Sequence, residues 1–386
     1  YNGGTHLPDI TVVTPVFDSD DKTILFYTAS RGHHADVGGM APGSMTPLAT
    51  SIHEEGVVID NFKMVDKGIF LEDETMAVLT AGEYPCRNPG QNIADLKAQV
   101  AANEKGVQEL RKMVAQFSLN VVQAYLNHVQ DNAEESVRRV IGALHDCSFD
   151  YEMDAGQHIK VHIRVDREAR TAVVDFTGTS EQQESNFNAP RPITNAAVLY
   201  VFRCMVADNI PMNAGCLKPI TIVTPEKSML SPEYPAAVVA GNVEVSQAVT
   251  SCLFGALNAV AASQSTMNNF NYGNDTYQYY ETICSGSGAG PGYDGTSGVH
   301  THMTNTRLTD PEILEFRYPV VLEDFHIRRG AGGHGKWSGG GGTKRTVRFL
   351  EEMDVSLLTG HRRVPPFGPV SYTHLTLPTI TSGCRA

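Results

Sequence analysis

Asp9-Ile10-Thr11-Val12-Val13-Thr14-Pro15-Val16-Phe17 and Thr23-Ile24-Leu25-Phe26-Tyr27-Thr28-Ala29-Ser30 decide how this chain is read. Both stretches are rich in β-branched and aromatic residues, and they flank the polar knot Asp18-Ser19-Asp20-Asp21. That pattern predicts a β-hairpin. With Phe17 opposite Lys22, His6 falls opposite His33 and Asp9 opposite Ser30. Side chains directly across such a ribbon have Cβ atoms about 4.5–5.5 Å apart. The segments Gly3–Asp9 and Arg31–Gly39 are therefore expected side by side at one end of the ribbon.

Two imidazoles, His6 and His33, and the carboxylates Asp9 and Asp36 converge in that arrangement. A nitrogen and oxygen donor set of this kind suits Zn, Mn or Fe(II) better than Ca. The His6-x-x-Asp9 step is short enough for both side chains to reach one ion from a loop entry. His34 points to the opposite face from His33 in this register and is the weaker ligand candidate. The same residues also fit a purely structural role, with His6 and His33 as a cross-strand pair and Asp9 and Asp36 capping turns.

Farther along, Ile93–Phe117 and Ser118–Leu144 carry apolar residues in steps of three and four, which predicts two long helices. The period then drops to two. His158–Val165 (HIKVHIRV) alternates strictly and Thr171–Phe176 (TAVVDF) answers it, a second hairpin with His158 and His162 on its wet face. Gly56–Val65 and Ile220–Val223 read as strands, and Thr194–Val206 and Val245–Ser263 as more buried helices. From Tyr277 onward short strands alternate with glycine-heavy loops. The fold class is therefore α+β, with antiparallel hairpins, mixed sheets and several long helices, and it is neither a Rossmann fold nor a P-loop fold.

The 386 residues are 41% hydrophobic and 19% charged, enough for a packed core and without a disorder signature. A net charge of −13 argues against a nucleic-acid surface. No apolar run approaches the roughly 18 residues of a membrane span. The seven cysteines are scattered without a CxxC pair, as in a reduced, cytoplasmic protein, and they sit among apolar neighbours as core.

Other motifs are weaker. Gly330–Lys336 reproduces most of GxxxxGK, but Trp337 stands where Ser or Thr must hold Mg²⁺, so ATP is expected to bind elsewhere. Val299–Arg307 alternates, which places His300 and His302 on one face with Arg307 close behind as a candidate anion clamp. Glu244 and Gln247 in GNVEVSQ read as the cap or first turn of a helix, with a site role as the alternative. Both chain ends look cut, and Val370–Thr379 looks like a translated sequencing adapter. Residues 1–369 are taken as one domain and 370–386, with His374 and Cys384, as a non-native tail.

The runs GGTHLPDITVVTPVF, SRGHHADVGGMAPGSM, AQVAANEKG, NFNAPRP, GNVEVSQ, GAGPGYDGTSGVHTHMTNTRLTDPEILE and RRGAGGHGKWSGGGG resemble the hydantoinase B/oxoprolinase family, in order, over Tyr1 to Gly368. Within the family they are most similar to the C-terminal half of ATP-hydrolysing 5-oxoprolinases. The resemblance implies a hydrolase of cyclic amides that converts 5-oxo-L-proline to L-glutamate. It implies an ATPase partner of the hydantoinase A type that binds ATP, and an oligomeric assembly. It also implies a divalent metal, Mn or Zn, on His6, Asp9 and the His33-His34 segment, with a further carboxylate ligand upstream of Tyr1. Asp36 would orient a ligand or act as a base. An N-methylhydantoinase, an acetone-carboxylase-like subunit, and a non-catalytic scaffold for the ATPase half are the alternatives.

Overall fold

The computed structural model describes Tyr1, residues 3–20 and residues 22–368. The segment 370–386, read from the sequence as foreign, lies outside the described residues, and His374 and Cys384 with it.

The first ribbon consists of β1 (Asp9–Phe17) and β2 (Ile24–His33), antiparallel as expected. Its register differs from the sequence expectation. Asp9, not Ser30's partner, sits opposite His33, and Phe17 sits opposite Ile24 across an irregularity after Val16. The turn explains the shift. Asp20 Oδ1 accepts from the backbone N–H groups of Lys22 and Thr23 at 2.8 Å each, so the connection closes at Thr23 rather than at Lys22.

Two long helices follow, α1 (Pro89–Phe117) and α2 (Leu119–Ala143). Asn88 caps α1 by accepting from Gln91 N–H, Pro89 fills its first turn, and Ser118 at φ 73° breaks the run between the helices. Helix α1 clamps the ribbon from outside the β-ladder. Gln99 Nε2 donates to Ile10 O at 2.9 Å, and Asn103 Nδ2 donates to Val12 O at 3.0 Å.

The largest sheet holds β3 (Cys147–Glu152), β4 (His158–Asp166), β5 (Thr171–Asp175) and, after α3 (Arg191–Cys204), β6 (Ile220–Val223). They lie in that order, antiparallel except for the parallel pair β5–β6. Alternation in β4 does what it predicts. Ile159, Val161 and Ile163 are buried, while His162 and Arg164 face solvent. Each such apolar side chain contributes about 1.5–3 kcal/mol of transfer free energy. Their partners in the main core come from α2, α3 and α4 (Ser246–Ala256). The helix predicted over Val245–Ser263 therefore stops early, and it begins with a π-helical turn at Gly241–Val245.

A smaller sheet, β7 (Asn269–Gly273), β8 (Gln278–Thr282) and β9 (Asp354–Leu358), has β7 in the middle. Phe270, Tyr272 and Tyr279 belong to an aromatic core with Leu314 and Val320. Asn269, Asn271 and Tyr280 occupy the opposite face, turned toward the end of the first ribbon. Gly56–Val65 is not a strand. Only Val65–Asp66 pairs, with Ile69–Phe70, because Gly56 at φ 143° and Asn61 at φ 47° leave the extended region. Among the described residues no helix is long and apolar enough to cross a membrane. The six described cysteines are free thiols, and Cys204 is exposed rather than in the core.

The loop after β2 is fixed by a close approach. Gly38 sits at φ 89°, and a Cβ there would lie 2.1 Å from Tyr84 O. Gly38→Ala is expected to lower the melting temperature by more than left-handed strain of about 1–3 kcal/mol alone would do. Thermal unfolding followed by circular dichroism measures the change.

Candidate functional site

His6 lies just before β1, in a turn closed by Asp9 N–H donating to His6 O at 3.3 Å. That turn folds its imidazole back onto the ribbon's end, so His6 and His33 meet despite the altered register. Their ring centroids are 5.2 Å apart and tilted by 56°. His6 Nδ1 stands 3.5 Å from Asp9 Oδ2 and 3.3 Å from Thr5 Oγ1. His6 Nε2 is buried and has no hydrogen-bond partner. Burial, then the nearby His33 and Arg31, hold the His6 imidazole well below its ordinary pKa. His6 is therefore neutral at pH 7. A proton on Nδ1, facing Asp9, leaves the Nε2 lone pair open.

His33 stacks on Tyr280, centroids 5.0 Å apart and planes within 11°. His33 is exposed as a residue, while Tyr280 and His6 crowd its ring. That crowding lowers its pKa, against the opposing pull of Asp9. The structure thus brings His6, Asp9 and His33 together at a solvent-facing lip.

The other candidates lie apart from this group. His34 is fully engaged with helix α1. Its Nδ1 accepts from Asn92 Nδ2 at 2.9 Å, and its Nε2 faces Gln99 Oε1 at 3.3 Å, so neither nitrogen is left for an ion. Asp36 accepts from the N–H groups of Gly38, Gly43 and Arg87 and pairs with the Arg87 guanidinium at 3.0 Å. It ties the loop after β2 to the start of α1. Arg307 is exposed. The strand predicted over Val299–Arg307 ends at Val299, and His302, at φ 55°, turns to pack on Phe254 at 5.1 Å. A positive φ cannot continue a β-strand, so His300 and His302 do not share a face in the manner expected.

One connection escaped the sequence. Tyr280, which holds His33, donates its hydroxyl to Asn269 Oδ1 at 2.7 Å, and Asn269 Nδ2 donates to Glu244 Oε1 at 2.9 Å. Thr266 Oγ1 donates to the same oxygen at 2.7 Å. Glu244 sits in the π-helical turn and is 1% exposed. Such turns recur at functional sites. The available signal was an acid embedded among apolar residues in GNVEVSQ, which as a helix start reads equally well as a cap.

Among the described residues no group of three or more His, Cys, Asp or Glu side chains is placed so that it could hold a metal ion as it stands. The donor types present are nevertheless ones that Mn and Zn accept. An orphaned buried imidazole nitrogen, a second neutral imidazole and a carboxylate adjoin one another. Leaving such a buried nitrogen unpaired costs about 1–3 kcal/mol, which a cation would relieve.

Burial raises the Glu244 carboxyl from 4.5 to about 8, outweighing its hydrogen bonds and Arg362. The folded state therefore holds a proton that the unfolded chain releases above pH 4.5, and stability from this group declines as pH rises from there through about 8. Glu244→Gln keeps the acceptor for Thr266 and Asn269. It is expected to flatten that part of the stability profile in melting experiments across the range.

With this geometry in view, comparisons place the chain among known proteins. The Hydantoinase B/oxoprolinase family model matches residues 1–370. 5-Oxoprolinase 1 of Arabidopsis thaliana is 45% identical over 390 residues, spanning 95% of this chain and 31% of that protein. The chain thus spans only about a third of the length of the curated relative. The crystal structure of an ATP-dependent caprolactamase from Pseudomonas jessenii superposes with a TM-score of 0.77 at 23% identity, covering 91% of this chain and 63% of that one. The nucleotide-free acetone carboxylase structure gives 0.78 at 17%, covering 91% and 50%. At those identities the two structures speak for the fold alone. The chain belongs to the hydantoinase B/oxoprolinase family.

Proposed function

We propose that this chain is the hydantoinase B-type portion of an ATP-dependent 5-oxoprolinase, working with an ATPase half of the hydantoinase A type to convert 5-oxo-L-proline to L-glutamate. The observation that carries the reading is the orphaned Nε2 of His6, a ring packed against His33 with its Nδ1 3.5 Å from Asp9, in a chain 45% identical to a 5-oxoprolinase.

An unstrained lactam is a poor electrophile, which accounts for the use of ATP. Moving the terminal phosphoryl group to the amide oxygen activates the ring carbon. Water then adds to that carbon and the C–N bond breaks, with the nitrogen taking a proton and leaving as the amine. The resulting acyl phosphate is hydrolysed by a second water to glutamate and inorganic phosphate. A Mn or Zn ion on His6 and His33, with Asp9 orienting the His6 ring through Nδ1, would supply Lewis acidity and lower the pKa of water at this lip.

The chain's own residues prepare that place. Asp9 keeps the His6 proton on Nδ1, so the Nε2 lone pair faces the site. Tyr280 fixes the plane of the His33 ring, and Asn269 and Glu244 fix Tyr280. The exposed position of His33 at the end of β2 is where substrate and the ATPase half would approach. Arg307, exposed on the loop before the short helix Pro311–Arg317, is assigned to an anionic group of substrate or phosphate. Asp36 is assigned to positioning the loop rather than to proton transfer, because its carboxylate is already engaged.

In the longer protein, His6→Ala is expected to abolish bound Mn or Zn and to reduce ATP-coupled ring opening. The loss should exceed the roughly 10–100-fold that removing an outer partner of a metal ligand costs. Metal analysis with a coupled glutamate assay measures both. Unchanged metal content and turnover would favour the scaffold reading instead.

A further inference from the structure

Val107 and Ala133 are buried, and among the described residues between them only Val122 is. The end of α1 and the start of α2, joined at the Ser118 break, therefore form a helical elbow that stands in solvent. The elbow nonetheless carries an apolar stripe. Val121, Tyr125 and Val129 recur every four residues on α2, with Leu126 beside them, and Met113 and Phe117 keep the same step on α1. These six side chains are between 41% and 67% exposed.

Water is a poor environment for such a stripe, because helices in proteins owe most of their stability to the packing of an apolar face. Taking about half of the ~150–250 Å² that a large side chain carries, the six present on the order of 600 Å². That is at the upper end of the largest apolar patch on an ordinary monomer. Two such faces together would bury about 1,200 Å², which reaches the range of stable, specific protein contacts.

Charge decides what covers the stripe. The chain carries a net charge of −13, yet Leu110–Gln130 holds Arg111 and Lys112 and no Asp or Glu. The acids at its borders are paired, Glu109 with Lys105 and Lys112 at 2.7 and 2.9 Å, and Asp131 with Lys218 at 3.2 Å. A two-fold contact sets a patch against its own copy, so a patch of one sign meets the same sign. Over much of so acidic a chain that costs repulsion, and at the elbow it does not. The amides Gln116, Asn120, Gln123 and Asn127 are exposed beside the stripe. An amide both donates and accepts, so it can pair with an identical group, which a carboxylate or an ammonium cannot do.

We propose that two copies of this chain associate through this elbow, the Val121–Tyr125–Val129 stripe of one lying against that of the other across a two-fold axis. The inference stands on the exposed helices alone and does not need the hydrolytic reading.

The test is the mass of the full chain in solution, followed by sedimentation velocity across micromolar concentrations. A concentration-dependent dimer is expected. Val121→Glu combined with Tyr125→Glu sets carboxylates against carboxylates in the contact. It should weaken association at least tenfold and leave the circular dichroism spectrum of the chain unchanged, because both positions are exposed. Phe316→Glu, at an apolar residue 87% exposed on the short helix Pro311–Arg317, should leave the dimer intact. In the wild-type chain, amide hydrogen exchange over residues 113–129 should slow as the dimer forms, a readout that holds even if the double variant does not fold. A wild-type chain that stays monomeric, whatever other protein the elbow then binds, would overturn the proposal. So would a folded double variant that dimerises as wild type does, loss of the dimer in Phe316→Glu, or protection gained only in other segments.

Discussion

The site depends on a single constraint, the packing of the His33 ring between His6 and Tyr280 at the end of the first ribbon. His6 comes from the turn before β1, His33 from the last position of β2, and Tyr280 from a strand far along the chain. Without the small sheet, His33 would be a mobile side chain at a hairpin end. With it, two neutral imidazoles are held at a fixed tilt beside a carboxylate. Helix α1 adds the second brace, because Gln99 and Asn103 bond carbonyls of β1 and so hold the ribbon at a fixed height.

The electrostatics follow from where each group is placed. His6 is buried without an ion pair strong enough to keep it charged, so it is neutral and its buried Nε2 is an unused acceptor. His34 is equally sheltered but has both nitrogens engaged by Asn92 and Gln99, and it acts as structure. Adjacent in sequence, His33 and His34 therefore serve different ends. Glu244 shows the same logic in reverse. Buried with hydroxyl and amide donors and with Arg362 only partly offsetting the loss of solvent, it keeps its proton, and a carboxylic acid inside a protein is a donor as well as an acceptor.

Much of this was legible in the sequence, and the rest failed for identifiable reasons. The 3.6 period located both long helices to within a few residues, and the period of two located β4 and β5 with the correct buried face. The ribbon was recognised, but its register was displaced because the Asp20 side chain builds its own turn, which alternation alone cannot reveal. The meeting of His6, Asp9 and His33 survived that displacement because the turn at His6 compensates. Tyr280 and Asn269 were not visible as site residues, and Glu244 in GNVEVSQ could be read either as a helix cap or as a site residue. Their roles come from contacts between elements remote in sequence, and no local pattern marks a tyrosine that will stack on a histidine some 250 positions away. The alternation at Val299–Arg307 misled for a related reason, since the strand ends at Val299 and His302 beyond it is left-handed.

The central claim is that His6 and His33 present their nitrogens to one divalent ion, with Asp9 orienting the His6 ring from Nδ1. Electron paramagnetic resonance of the Mn(II)-loaded chain tests it most directly, because nitrogen hyperfine coupling counts imidazoles on the metal. The account predicts coupling from two imidazole nitrogens, falling to one in His33→Ala. A spectrum of fully hydrated Mn(II), or nitrogen coupling that persists unchanged when both His6 and His33 are replaced, would contradict it.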